Sequence, residues 1–154
     1  MSEGKRDSWD EYFIGLARDV AKRSKDRSTK VGAVIVGPDK EIRSTGYNGF
    51  ARGVDDEPDE RHERPTKYLI TPHAEMNAIC NAAMSGVSTK GCKIYVTSLF
   101  PCSTCASLII NAGIKEVIVE TKDMPERWAE DGKWAKIQFN EAGVIVRLVN
   151  EEIL

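Results

Sequence analysis

Two short clusters of metal-binding side chains constrain this chain more than anything else in it. His73-Ala74-Glu75 offers an imidazole and a carboxylate, and 28 residues later Pro101-Cys102-Ser103-Thr104-Cys105 begins and offers two thiols. A fold that uses them must bring two distant segments to one point. Three nitrogen and sulfur ligands leave a tetrahedral zinc with an open fourth position, which is the arrangement of a catalytic site. Zinc held in that way lowers the pKa of its water to about 7. Glu75 is not needed as a ligand, so it is free to move that water's protons.

Each part has a plainer reading when taken alone. A single C-x-x-C is also a redox pair or half of a structural zinc site. The latter wants four protein ligands, and the remaining cysteines, Cys80 and Cys92, are isolated in apolar or turn contexts. They read as small buried hydrophobes. An acid in a first helical turn, such as Glu75, equally complements the helix dipole, and only the Cys102–Cys105 pair decides for catalysis. His62 is the one other histidine, so the ligand count predicts one zinc per chain.

The chain has 154 residues, enough for a single domain, 1–154, with its own core. Hydrophobic residues make up 41% and charged residues 30%, and the net charge is −2. A bulk polynucleotide binder would carry a basic face, so no nucleic-acid partner is expected, while a few local cations suffice for a small anionic ligand. Four cysteines including a C-x-x-C, with no signal-like segment, point to a reducing cytoplasm. No apolar run approaches the ~18 residues of a membrane span. Residues 1–7 are polar and read as a loose N-terminus.

Ser8-Trp9-Asp10-Glu11 is a capping box. Tyr12, Phe13, Leu16, Ala17, Val20 and Ala21 follow at helical spacing, predicting a helix to about Ser24. Val31–Val36 and Ile42–Tyr47, separated by Gly37-Pro38-Asp39-Lys40, predict an antiparallel hairpin. Residues 48–71 are polar, rich in Gly and Pro and without periodicity, a long loop of the kind that is functional or mobile. Helices are predicted over His73–Ser85, Cys102–Ala112 and Glu126–Ala142, and strands over Lys93–Thr97, Glu116–Glu120 and Ile145–Val149. Strands joined through helices pair in parallel. Both metal clusters then fall at helix starts, where the dipole favours thiolate over thiol.

Several segments together resemble the deoxycytidylate deaminases of the cytidine deaminase-like superfamily. They are Arg23-Ser24-Lys25-Asp26, Val31-Gly32-Ala33, Gly46-Tyr47-Asn48-Gly49, His73 to Ile79, Phe100 to Cys105, and Ala112 to Val117. H-A-E and P-C-x-x-C are common to many base deaminases. Gly-Tyr-Asn-Gly followed by a long insert is much narrower. The resemblance implies an α/β/α three-layer sandwich around a five-stranded mixed sheet. It implies zinc on His73, Cys102 and Cys105, with Glu75 carrying protons to N3 and to the leaving amine as dCMP becomes dUMP, the precursor for thymidylate synthesis. It further implies a homo-hexamer activated by dCTP and inhibited by dTTP, with Mg²⁺ accompanying the triphosphate.

The same resemblance suggests Ser24, Lys25, Asn48, Ala74 and Trp128 as substrate contacts, and Tyr47, Asn48, Gly49, Arg52, Arg61 and Arg64 as effector contacts. Arg61 and Arg64 are second candidates for the substrate phosphate. Asn48 also reads as an ordinary turn residue before glycine, and Arg23, Lys25 and Arg27 as a basic helix end. Two features depart from the family pattern. Extra Cys and His ligands for a second zinc are missing. A tyrosine expected after the fourth strand is replaced by Lys122-Asp123-Met124-Pro125, with Trp128 nearby as a substitute or as a packing residue. The competing classes are a tRNA adenosine deaminase or other polynucleotide editor, and a non-catalytic zinc-binding module.

Overall fold

The computed structural model describes residues 6–151 and 153–154; the segment expected to be loose, 1–7, lies mostly outside them. Ser8 caps helix α1 (Trp9–Ala21) by accepting the Glu11 N–H at 3.1 Å. Phe13, Ile14, Ala17 and Ala21 form its buried stripe, while Tyr12, at the stripe's edge, stays 47% exposed. Strands β1 (Gly32–Val36) and β2 (Ile42–Tyr47) form the expected antiparallel hairpin. The insert is not structureless. It holds a 3-10 turn at Asp59–His62 and a short helix, α2 (Thr66–Ile70). Neither buries a residue, so neither leaves a hydrophobic period in the sequence.

Helix α3 (Ala74–Met84), β3 (Lys93–Val96), α4 (Ser103–Asn111), β4 (Glu116–Val119), α5 (Ala129–Ala142) and β5 (Ile145–Leu148) complete the fold. Pro125 starts a 3-10 turn over Glu126–Trp128, which delays α5 by three residues relative to expectation. The sheet order is β2-β1-β3-β4-β5. β3 runs antiparallel to β1, and β3, β4 and β5 are mutually parallel.

Period-two alternation divides the core. Val34, Val36, Tyr95 and Ile118 face α1. Ala33, Ile35, Ile94, Val96, Val117, Val119 and Val146 face the other way, against α3, α4 and α5. The two crossovers run in the same direction across the sheet, and right-handed connections therefore place α4 and α5 on one face. The result is the three-layer sandwich, with α1 alone on one side.

Helix α3 meets the sheet through Ala74, Ala78 and Ala82, all buried. Opposite them, a Cβ on Gly46 would lie 2.2 Å from the Ala78 nitrogen and 2.6 Å from the Ala74 carbonyl oxygen. The glycine lets the helix lie directly on the strand. Cys80 is on the outer face of α3 and is exposed, contrary to the expected burial, whereas Cys92 is buried as expected.

Candidate metal centre and active-site cavity

Both metal clusters sit at helix starts on the same face of the sheet. His73 is the residue before α3 and Cys102 the residue before α4, each in extended backbone conformation. The Cys102 sulfur caps α4 by accepting the Cys105 N–H at 3.4 Å. The His73 Nδ1 lies 3.4 Å from the Cys102 Sγ and 3.3 Å from the Cys105 Sγ. Ligand bonds of 2.3 Å to sulfur and about 2.05 Å to nitrogen at tetrahedral angles would separate N and S by roughly 3.6 Å. The three atoms therefore already stand close to zinc-ligand spacing. They form the only His/Cys/Asp/Glu cluster of metal-binding compactness among the described residues. The donor set fits zinc.

The electrostatics agree. The Cys102 thiol is pulled down to about 4, first by its hydrogen bond with Cys105 and also by His73. Cys105 is pushed up in turn, by the same pairing and by burial. Cys102 is thus the readier thiolate, and a coordinated cation would favour the thiolate form of Cys105 as well. His73 is raised, chiefly by its hydrogen bond with Cys102. Glu75 is 4% exposed, and its carboxyl is pushed up mainly by burial. A carboxyl raised in that way holds a proton more readily than one in water, which suits a group that must both take and give one.

A cavity opens onto this cluster. It is lined by His73, Ala74, Glu75 and Cys102 at the metal cluster, by Val31, Asn48, Leu99, Phe100 and Lys67, and by the exposed side chains of Arg64, Tyr68, Arg127 and Trp128 at its mouth. A second cavity adjoins it, lined by Arg23, Lys25, Tyr47, Gly49, Phe50, Asp56 and His62. Asp26, Asn48, Lys67 and Thr71 line both cavities and form the partition between them.

The expected contact residues divide between these spaces. Ala74, Asn48 and Trp128 line the first cavity. Ser24 and Lys25 do not. The Ser24 hydroxyl donates to the Asn48 carbonyl at 2.7 Å and accepts the Asp26 N–H. Lys25 pairs with Asp56 at 2.9 Å and faces the second cavity. The Asn48 amide is largely committed: it accepts the Val31 N–H at 2.8 Å and donates to the Thr29 carbonyl at 2.9 Å. Of the expected effector residues, Tyr47, Asn48 and Gly49 line the second cavity. Arg64 lines the first instead. Arg52 and Arg61 line neither; they donate to the Asn81 side chain and the Asp55 carbonyl.

Sequence reasoning missed Tyr68, Arg127 and Asp131. Asp131 on α5 accepts both the Ser103 N–H at 2.9 Å and the Ser103 hydroxyl at 2.6 Å. It thereby clamps the turn between the two cysteines. Nothing in the local pattern distinguishes it from any acid in a first helical turn. Tyr68 and Arg127 belong to segments whose exposed residues have no period.

A fold of this kind carrying this donor set and a buried carboxyl defines the class of zinc-dependent deaminases. The model of the cytidine and deoxycytidylate deaminase zinc-binding region matches residues 7–121, and the chain belongs to that family. It is 44% identical over 144 residues to the deoxycytidylate deaminase of Homo sapiens, covering 90% of this chain and 78% of the human one. An uncharacterised deaminase of Aliivibrio fischeri is 43% identical over 148 residues, covering 95% and 97%. The crystal structure of a dCMP deaminase from the cyanophage S-TIM5, in complex with dCMP and dUMP, superposes with a TM-score of 0.74 at 25% identity. That match spans 94% of this chain and 98% of the phage one.

Proposed function

We propose that the protein converts dCMP and water to dUMP and ammonia, supplying dUMP for thymidylate synthesis. The observation that carries this reading is the buried Glu75 carboxyl beside the His73–Cys102–Cys105 cluster, in a cavity that also carries exposed arginines. Zinc held by His73, Cys102 and Cys105 supplies Lewis acidity that makes water a nucleophile at neutral pH. Glu75 accepts a proton from the attacking water as the C4–O bond forms. It passes that proton to N3, then takes the proton of the new C4 hydroxyl and gives it to the exocyclic amine, and the C4–N bond breaks to release ammonia as the C4 carbonyl forms. Burial suits Glu75 to the shuttle, because a carboxylate in water would give up its proton too readily to serve as the acid. Ala74, Val31 and Phe100 exclude water from the sides. Asn48 is assigned to the sugar through its remaining amide hydrogen.

Regulation belongs to the same reading, with dCTP activating, dTTP inhibiting, and Mg²⁺ bound with the triphosphate. It is supported by the second cavity, where Tyr47 and Gly49 stand beside Arg23 and Lys25, and by the partition shared with the first. A homo-hexamer in the cytoplasm completes the proposal. Ammonia release from the zinc-loaded protein is to be measured with dCMP, dCTP, cytidine and an RNA hairpin as substrates. Turnover confined to the RNA would make it a polynucleotide editor, and none at all a binding module. Initial rates against dCMP, with and without each triphosphate at fixed Mg²⁺, test the regulation. Superimposable hyperbolic curves would remove it from the proposal.

A further inference from the structure

We propose that Arg64 and Arg127, presented by Tyr68 and Trp128 across the cavity mouth, grip the substrate's 5′-phosphate and set the preference for nucleotide over nucleoside. The inference rests on the reading of dCMP as substrate. Three cations line the catalytic cavity, Arg64, Lys67 and Arg127. Lys67 is committed. Its ammonium lies 3.2 Å from Asp26, and the two side chains are only 12% and 10% exposed. Arg64 and Arg127 have no carboxylate partner among the described residues. Lys25, the cation that the sequence suggested, is paired with Asp56 in the other cavity.

The two free guanidinium groups are held in place by aromatic rings. Arg64 donates its Nε–H to the Tyr68 hydroxyl, and its guanidinium carbon lies 5.7 Å from the Tyr68 ring centre. Arg127 lies over Trp128 at 5.9 Å. The rings of Tyr68 and Trp128 meet edge to face at 5.9 Å. That contact joins the insert to the β4–α5 connection across the mouth. With the Arg64 Nε–H occupied, its two terminal nitrogens remain to face a ligand. A planar fork of N–H donors suits two phosphate oxygens. The position also matches the substrate: in a pyrimidine nucleotide the phosphate is at the opposite end from C4. With C4 at buried Glu75, the phosphate falls at the exposed end, where all four mouth residues lie.

The test uses zinc-loaded protein and the variants Arg64→Gln, Arg127→Gln and their double. The readout is the ratio of kcat/KM for dCMP to that for deoxycytidine, together with titration of dUMP and deoxyuridine as binding probes. A charge-assisted hydrogen bond contributes enough that each single variant should lower the ratio about 10- to 100-fold, with a matching loss of dUMP affinity. An unchanged ratio in the double variant, or a parallel fall for dCMP and deoxycytidine, overturns the assignment. A wild-type protein that does not deaminate dCMP, yet binds dUMP in an arginine-dependent way, would sink the substrate reading and keep the phosphate grip. Failure of the wild type to bind dUMP overturns the grip as well.

Discussion

Gly46→Ala is the substitution that most directly links packing to chemistry in this molecule. The added Cβ would stand 2.2 Å from the Ala78 nitrogen and 2.6 Å from the Ala74 carbonyl oxygen, where ordinary contact begins at 3.4 Å. Neither atom belongs to a flexible side chain, so α3 must retreat from β2 by roughly 1 Å. Overpacking of this kind costs about 1–3 kcal/mol. The functional cost follows from what α3 carries. His73 precedes it and Glu75 is in its first turn, whereas Cys102 and Cys105 are on α4. A displacement of about 1 Å at such a centre is worth on the order of 100-fold in rate. Gly32→Ala is the control, because its Cβ would lie 1.9 Å from the Ala17 carbonyl oxygen, against α1 on the opposite face. Helix α1 carries no part of the metal centre. Denaturant midpoints should fall for both variants. Zinc affinity, by competition with a chelating dye, and kcat should fall only for Gly46→Ala. Wild-type zinc affinity and kcat in Gly46→Ala, at any stability, would refute this account of how α3 is positioned.

Three further outcomes are expected. Cys102→Ala and Cys105→Ala should each deplete zinc, since three ligands leave none to spare; one zinc per chain persisting in either would remove that residue from the ligand set. Glu75→Gln should retain one zinc by elemental analysis while losing about 100-fold or more in kcat, the usual worth of a general acid–base; loss of the metal would instead make Glu75 a ligand. Asp10 is held at about 2 against an ordinary 3.8, first by hydrogen bonding from Arg147 and also by the Asn150 N–H and the Tyr95 hydroxyl. A depressed carboxylate stabilises the fold above its unfolded pKa, so about 2 kcal/mol should be lost as pH falls from about 4 toward 2. Asp10→Asn should lack that part of the pH slope in denaturant titrations, and an identical slope would show that the carboxylate does not report on the α1–β5 contact.

The cluster of His73, Cys102 and Cys105 was legible in the sequence because zinc chemistry demands particular donor atoms, and the C-x-x-C spacing puts two of them on one helical turn. The elements flanking them were legible as well. Val31–Val36 reads as an unbroken apolar run because β1 is buried on both faces, and the α1 stripe recurs at a period of 3.6 because that helix buries only one. The insert and the approach to α5 left no such trace, since Asp59–His62, Thr66–Ile70 and Glu126–Trp128 bury nothing.

For the same reason the sequence by itself located the His73, Glu75, Cys102 and Cys105 end of the cavity and not the other end. Lys25 and Arg64 look alike as local cations, yet one is neutralised by Asp56 in a neighbouring cavity and the other stands free over Tyr68 in the catalytic one. Asp131, 28 residues beyond Ser103, clamps the cysteine turn only because α5 packs along α4. Coordination chemistry is written into residue type and short spacing. The partner that a surface cation or carboxylate finds depends on which distant segments the tertiary fold brings within a few ångströms.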